Sequence, residues 1–154
     1  MDVADPPDTT TAASVHIRRV DRSALGMIRR LNTAIFEEQR IINTFDREDL
    51  LMLLAETEGE PVGFKIGYRL EPGVFYSAKG GVLDEHRENG VARALMMEMM
   101  RRVREQGYKR FTYDTFPNMH PGMAVLGLRE GFRVTRADYN PRYEDYRLRL
   151  EKAL

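Results

Sequence analysis

The stretch from Val82 to Val103 constrains the fold more than any other part of the chain. It begins as the end of an apolar run, passes through a polar loop that contains Gly90, and continues at helical spacing. The apolar residues that share one face of this helix are Leu95, Met96, Met99, Met100 and Val103. The pattern predicts a strand, a tight turn and an amphipathic helix in direct succession.

The turn before this helix is suited to binding an anion. The helix begins near Gly90, and glycine adopts backbone conformations that other residues avoid. The first N–H groups of a helix lack partners within the helix and lie at the positive end of its dipole. Arg87 and Arg93 flank the turn, where both can reach a phosphate. An ordinary strand-to-helix turn with surface arginines explains the same residues, and the local pattern alone does not separate the two interpretations.

The loop and the start of the helix resemble a known coenzyme-binding motif. Residues 87–92 read Arg-Glu-Asn-Gly-Val-Ala, which resembles the Arg/Gln-x-x-Gly-x-Gly/Ala segment of the GNAT superfamily of acetyl-CoA-dependent N-acetyltransferases. The resemblance implies that amides of this loop hold the pyrophosphate of acetyl-CoA. The residues that it assigns to the coenzyme are Val82, Leu83, Asp84, Arg87, Glu88, Asn89, Gly90, Val91, Ala92, Arg93 and Asn118. For Asn118, a helix cap explains the residue equally well.

The order of the predicted elements agrees with this resemblance. We predict strands at 15–20, 50–56, 62–69, 74–83, 109–115, 132–137 and 146–150, and helices at about 21–39, 90–105 and 118–130. The last of these helices starts either at Asn118 or in the region of Pro121. Short connections predict an antiparallel meander, and the central crossover predicts that the fifth strand is parallel to the fourth. The resemblance implies an α+β fold with a mixed, mostly antiparallel sheet of six or seven strands, flanked by helices and splayed between strands 4 and 5.

Composition sets the limits of the assignment. Residues 1–14 are rich in Asp, Pro, Thr and Ala and are predicted to form a flexible tail, followed by a single domain at residues 15–154. Lys+Arg and Asp+Glu both number 24, so global charge gives no support for a nucleic-acid or membrane partner. The chain lacks cysteine, and its three histidines are far apart, so we expect no metal. We expect a cytoplasmic protein, with a two-fold homodimer as a reasonable possibility.

The chemistry implied by the resemblance is direct acetyl transfer from the thioester to an amine. An alkylammonium with a pKa of about 10.4 is neutral in roughly one part in 2,500 at pH 7, which costs about 4.6 kcal/mol. A leaving thiolate with a pKa of about 8.5 needs less help, so a base matters more than an acid. Candidate bases are Glu37 and Glu38 at the end of the first helix, and Tyr76 on the fourth strand is a candidate for the acceptor side. Solvated carboxylates and a packed aromatic ring are the simpler interpretations.

One residue departs from the family pattern. Many relatives carry a tyrosine four residues before the Gly-Phe pair that closes the last helix, and that tyrosine protonates the sulfur. Here Gly127 stands at that position, so Tyr76, Tyr113 or water would have to substitute. The departure leaves a non-catalytic acyl-CoA-binding sensor or interaction domain as the alternative. An NTPase is disfavoured because the chain has no Gly-x-x-x-x-Gly-Lys-Ser/Thr segment.

Overall fold

The elements follow one another in the predicted order across residues 15–154, which are those that the computed structural model describes. The predicted tail at 1–14 lies outside the described residues. The strands are β1 (Val15–Val20), β2 (Leu51–Thr57), β3 (Glu60–Glu71), β4 (Val74–Val82), β5 (Arg110–Thr115), β6 (Arg133–Asn140) and β7 (Asp145–Ala153). The helices are α1 (Leu25–Phe36), α2 (Val91–Glu105) and α3 (Pro121–Arg129).

The strands form one sheet in the order β1-β2-β3-β4-β5-β7-β6. Every neighbouring pair is antiparallel except β4 and β5, which are parallel and joined through the crossover helix α2. Helix α1 packs on one face of the sheet and α2 on the other, and we name the two faces the α1 face and the α2 face. The predicted mixed, mostly antiparallel sheet of the α+β class is confirmed.

Each face of the sheet buries its own apolar core, which is the main favourable contribution to folding. On the α1 face, the fully buried side chains include Ile28 of α1 and Phe64 and Ile66 of β3. On the α2 face, the buried side chains of α2 are Val91, Leu95, Met96, Met99, Met100 and Val103. The methionine-rich face of α2 is therefore core packing.

Strand β3 differs from its predicted pattern. Its alternation predicted a strand buried on one face, yet residues 62–67 are all buried. The reason is that Phe64 and Ile66 pack against α1 while the intervening positions lie beneath α2. Lys65, at one of those intervening positions, is only 6% exposed.

The helix boundaries also shift. Helix α1 ends at Phe36, three residues before the predicted end, because Glu37 adopts a left-handed backbone with φ 57° and stops the helix. Helix α3 begins at Pro121, a residue suited to the first turn, and not at Asn118. The segment 40–49, for which the sequence favoured no single structure, contains neither helix nor strand.

The outer side of α2 is a charged surface. Arg101 and Arg102 both donate to the carboxylate of Glu98, with nitrogen–oxygen distances of 2.6 Å. These pairs account for the arginine run as a solvated helix face. Within residues 15–154, no helix combines the length and apolar character required to cross a bilayer.

Candidate active site

The sheet opens between β4 and β5. Relative to β3, β4 carries one extra residue at Ala78, which makes a β-bulge. The pairing of β4 with β5 ends at Ser77 and Tyr113, although β4 continues to Val82. Residues 78–82 therefore have no strand partner on the side of β5, and the predicted splay is confirmed.

The turn at the top of this opening is free of obstruction. Gly90 precedes α2 with φ 81°, and nothing lies within 4 Å of the position that a Cβ would take. Glu88 is also left-handed, with φ 64°. The N–H of Ala94 donates to the carbonyl of Gly90 at 3.0 Å, so the N–H groups of residues 91–93 come before the first intrahelical bond. Successive left-handed and helical residues make a concave set of N–H groups that binds anions.

Apolar residues hold this turn in place. Val82, the last residue of β4, and Val91, the first of α2, are 6% and 2% exposed. Leu83 packs against the core of the α1 face, and its N–H donates to the carbonyl of Val62 at 2.9 Å. Ala92 packs against the core of the α2 face. Both ends of the loop are therefore fixed, while Asn89 and its neighbours are exposed.

The two arginines of the turn already have carboxylate partners. Arg87 pairs with Asp84 at 2.8 Å and donates through Nε to the carbonyl of Val82 at 3.2 Å. Arg93 donates to Glu130 at 2.6 Å, which raises the pKa of Arg93 and lowers that of Glu130. Backbone groups, more than side chains, are the unpaired donors at this turn.

Asn118 lies in the loop after β5 and does not cap α3, because the residue at the cap position is His120. The cap interpretation is wrong. Its amide donates to the carboxylate of Asp145 at 2.9 Å, and this bond is the main reason that the pKa of Asp145 is lowered. Asn118 therefore joins the β5–α3 loop to the start of β7.

On the α1 face, the segment after α1 reaches β4 beside the opening. Glu38 forms an ion pair with Lys79, and the Lys79 ammonium also donates to the carbonyl of Arg40 at 2.5 Å. The same ammonium lies 4.6 Å from the ring centroid of Phe36. Glu37 and Glu38 are both exposed, and Glu37 ends the helix through its backbone. Of the two predicted carboxylates, the structure brings only Glu38 into contact with β4.

Tyr76 belongs to a hydrogen-bonded group on the same face. Its hydroxyl donates to Asp114 of β5 at 3.0 Å, and Arg149 of β7 donates twice to that carboxylate, at 2.8 and 2.9 Å. Burial, together with the charge of Asp114, raises the pKa of Tyr76 well above its usual value. Asp114 and Arg149 were not predicted from the sequence, because the pairing of β5 with β7 brings them together from positions 35 residues apart.

The structure also explains Gly127. A Cβ at this position would lie 2.0 Å from the hydroxyl oxygen of Tyr113, so no larger side chain fits. The Tyr113 hydroxyl donates to the carbonyl of Met123 at 2.6 Å, and burial raises the pKa of Tyr113 to about 12. The ring of Tyr113 occupies the space beside residue 127, and its proton is engaged.

The histidines lie at separate places in this region. His86 ends a short 3-10 turn that follows β4, and His120 precedes α3. In the part of the chain that the structure describes, no three acidic or histidine side chains are arranged to hold a metal ion.

The fold and the open turn together define a class of protein. A mixed sheet that splays between two parallel strands, beside a helix N-terminus with free N–H groups, is the architecture that the sequence resemblance implied. The model of the acetyltransferase (GNAT) family matches residues 22–132, which is more than half of the chain. The protein therefore belongs to the GNAT family and is an acetyltransferase.

Solved structures agree on the fold. The chain is similar to an IAA acetyltransferase from Bacillus cereus, with 18% identity, a TM-score of 0.79, and coverage of 92% of this chain and 100% of the other. It is also similar to a ribosomal-protein alanine N-acetyltransferase from Escherichia coli, with 13% identity, a TM-score of 0.78, and coverage of 90% and 93%. A GNAT acetyltransferase from Elizabethkingia anophelis with acetyl-CoA bound has 15% identity, a TM-score of 0.76, and coverage of 92% and 99%. No curated protein sequence matches the chain.

Proposed function

We propose that this acetyltransferase moves the acetyl group of acetyl-CoA directly to a primary amine of a small molecule or peptide. The observation that carries the proposal is the open turn at Gly90 beside the unpaired edge of β4. The turn offers N–H groups for a diphosphate, and residues 78–82 offer backbone groups for the amides of pantetheine. The Elizabethkingia anophelis neighbour, which holds acetyl-CoA in the same fold, supports this use of the opening.

The predicted coenzyme residues divide into three roles. The N–H groups of residues 88–93 bind the diphosphate, and Arg87 and Arg93 add positive charge at the rim. The chain at Val82, Leu83 and Asp84 lies beside the pantetheine and the thioester. The N–H of Val82 stabilises the oxygen of the tetrahedral adduct, because the N–H of Leu83 already donates to the carbonyl of Val62. Asn118, whose amide donates to Asp145, makes a polar contact to the pantetheine.

We place the group that deprotonates the acceptor amine on the α1 face of the sheet. We assign Glu38 the role of base, directly or through water, because its carboxylate meets β4 beside the opening. Glu37 is the second candidate, since it is exposed next to Glu38. Tyr76 positions the acceptor through hydrogen bonds, because its raised pKa keeps the hydroxyl protonated at neutral pH.

Amine acceptors are supported by the neighbours' activities. The Escherichia coli neighbour is an alanine N-acetyltransferase that acts on a ribosomal protein, so the same fold accommodates a peptide amine. The acceptor side here carries both signs of charge, with Glu38 beside Lys79 and Asp114 beside Arg149. These charges favour an acceptor that has a cationic amine and a further polar group.

The test has two stages, because binding and turnover answer different questions. Calorimetry of acetyl-CoA binding comes first, followed by release of free thiol in the presence of a panel of small and peptide amines. We expect saturable binding, and turnover with at least one primary amine. Glu38→Gln should lower kcat at least about tenfold while acetyl-CoA affinity changes little, and Glu37→Gln is the matched comparison. Absence of acetyl-CoA binding would reject the proposal.

A non-catalytic acyl-CoA-binding protein is the second candidate. The observation that favours it concerns the positions considered for the acid: residue 127 is glycine, and the hydroxyls of Tyr76 and Tyr113 donate to Asp114 and to a backbone carbonyl. Tight acyl-CoA binding without turnover of any amine in the panel would support this candidate. The cytoplasmic location, the homodimer and the single-domain boundary at residue 15 stay predictions.

A further inference from the structure

We infer that Lys65 is the group that protonates the departing coenzyme A thiolate, in place of the tyrosine that this chain lacks. The inference rests on the proposed function, since it requires coenzyme A in the opening between β4 and β5. It begins from an unusual side chain, a lysine in the middle of a central strand that is 6% exposed.

The position of Lys65 places the start of its side chain next to the part of β4 that borders the opening. Phe64 and Ile66 face α1, so Lys65 lies on the α2 face, where it pairs in register with Gly80 of β4. Its Cγ is 3.2 Å from the point that a Cβ of Gly80 would occupy, so the aliphatic stem lies against Gly80. Gly80 is one of the residues of β4 that have no partner in β5.

The reach of the side chain is sufficient. Three bonds separate Cγ from Nζ, which gives about 4 Å of further extension. Neighbouring strands lie about 4.8 Å apart, so a lysine that crosses β4 at Gly80 brings its ammonium to the border of the opening. A side chain at residue 80 would obstruct this path, and glycine leaves it free.

The ammonium has no partner among the described residues. No hydrogen bond or ion pair involves it, and burial alone lowers the pKa of Lys65 to about 8. In the described part of the chain, the one fully enclosed side-chain polar atom that lacks a partner is Oδ1 of Asn32. Lys65 as a whole residue keeps 6% of its surface exposed. Unpaired buried charges are costly, which makes an unused lysine at this place unexpected.

Among residues 15–154, the positions in register with Lys65 carry no titratable group: they are Leu53 of β2 and Gly80 of β4. The side chains that α2 buries on this face are apolar, and Leu95, Met96 and Met99 are among them. On β5 the titratable group of that face is Tyr113, whose hydroxyl donates to Met123. The charged neighbour on β4, Lys79, lies on the α1 face with Glu38.

The proton balance of the step is complete. When the carbon–sulfur bond of the tetrahedral adduct breaks, its electron pair goes to sulfur, and Lys65 donates one proton to that sulfur. The acylated nitrogen loses one proton, which returns to the neutral Lys65 amine through water. A lysine with a pKa of about 8 matches an alkyl thiol with a pKa of about 8.5, so proton transfer between them is nearly balanced.

The test uses coenzyme A itself and needs no acceptor. The pKa of the bound coenzyme A thiol is measured by the ultraviolet absorbance of its thiolate, in the wild type, in Lys65→Met and in Lys109→Met. Lys109 is exposed and serves as the matched control. We expect the bound thiol to be at least about tenfold more acidic in the wild type and in Lys109→Met than in Lys65→Met. Equal thiol pKa values in all three proteins would overturn the inference.

Measurements of turnover distinguish two roles for Lys65, that of a proton donor and that of a fixed positive charge. Lys65→Met should lower kcat roughly 100-fold and remove the alkaline limb of the pH–rate profile, with acetyl-CoA affinity little changed. Lys65→Arg keeps the charge but cannot release its proton at these pH values, so it should keep the acidic thiol and lose kcat. Full kcat in Lys65→Arg would contradict proton donation. If wild-type protein does not bind coenzyme A, the proposed function fails; if it binds with an unshifted thiol, only the role of Lys65 fails.

Discussion

The two faces of the sheet present different chemical groups to the opening between β4 and β5. On the α2 face, the turn at Gly90 presents backbone N–H groups, and the one buried charge, Lys65, has no partner among the described residues. On the α1 face, side chains dominate and two ion pairs lie beside the opening, Glu38 with Lys79 and Asp114 with Arg149. The backbone groups of the α2 face suit acetyl-CoA, which is the same in every reaction. The side chains of the α1 face suit the recognition of a specific acceptor.

The difference also indicates where each face is vulnerable. A backbone site depends on chain conformation, so it fails when a side chain adds charge or bulk at the turn. A network of paired side chains depends on its partners, and removal of one partner leaves the other uncompensated. Substitutions on the two faces should therefore separate coenzyme binding from stability and from acceptor chemistry.

The largest effect should come from Gly90→Asp. The new carboxylate would face the diphosphate, and two like charges about 4 Å apart at an effective dielectric of 20 repel by about 4 kcal/mol, or roughly 1,000-fold in affinity. Gly90→Asn is the matched control, because asparagine tolerates the left-handed backbone and adds no charge. Calorimetry of acetyl-CoA binding measures both variants. Equal affinities for Asp and Asn at residue 90 would place the diphosphate elsewhere.

The second effect concerns the stability cost of Lys65. Burial lowers its pKa from 10.5 to about 8, so the unfolded chain binds more protons between these values and the free energy of unfolding rises with pH there. At pH 7, Lys65→Met should therefore raise the free energy of unfolding by on the order of 3 kcal/mol. The gain should shrink as the pH approaches 10.5, as urea unfolding at several pH values will show. A destabilised Lys65→Met at pH 7 would mean that the ammonium has a partner.

A smaller effect is expected from Asp114→Asn on the α1 face. The carboxylate is 9% exposed and accepts two hydrogen bonds from Arg149 and one from Tyr76, so its loss leaves a partly buried guanidinium unpaired. We expect a loss of about 2 kcal/mol in the free energy of unfolding, with acetyl-CoA affinity unchanged. Asp138→Asn, which removes a more exposed carboxylate 3.3 Å from Arg147, should cost less than about 1 kcal/mol. Similar losses in the free energy of unfolding for the two variants would show that the Asp114 network stabilises the protein no more than a surface ion pair does.

The smallest effect is expected from Glu37→Gly. The left-handed backbone at Glu37 destabilises the folded protein by roughly 1 kcal/mol when an ordinary residue occupies the position. Glycine removes this strain, but glycine also raises the entropy of the unfolded chain, which offsets part of the gain in stability. The net result should be a gain of roughly 0.5 kcal/mol in thermal or urea unfolding, without the loss of kcat expected for Glu38→Gln. A loss of kcat as large as that of Glu38→Gln would indicate that Glu37 acts as the base.

The turn was predictable from the sequence because its determinants are local. Gly90, the preceding strand and the helical spacing that begins at Val91 lie within a few residues of one another, and backbone conformation follows from such neighbours. The antiparallel meander and the parallel pair of β4 and β5 followed from connection lengths, whereas the position of β7 between β5 and β6 was not predicted. Short-range patterns were therefore enough for the order of the elements and for the geometry of the turn.

The side-chain networks were not predictable, because tertiary pairing creates them. Asp114 and Arg149 meet only through the register of β5 with β7, and Glu38 meets Lys79 only after α1 ends early at a left-handed residue. Lys65 appeared to be a solvent-facing position, since alternation cannot show that helices cover both faces of β3. The available signal was position: β3 is the third strand of a sheet with helices on both sides.

A crystal structure of the protein with coenzyme A tests the central claim most directly. We expect the diphosphate within hydrogen-bond distance of the N–H groups at residues 90–93, with the pantetheine alongside residues 78–82 of β4 and its sulfur near the Lys65 ammonium. A diphosphate bound away from the turn, or a pantetheine outside the gap between β4 and β5, would contradict it.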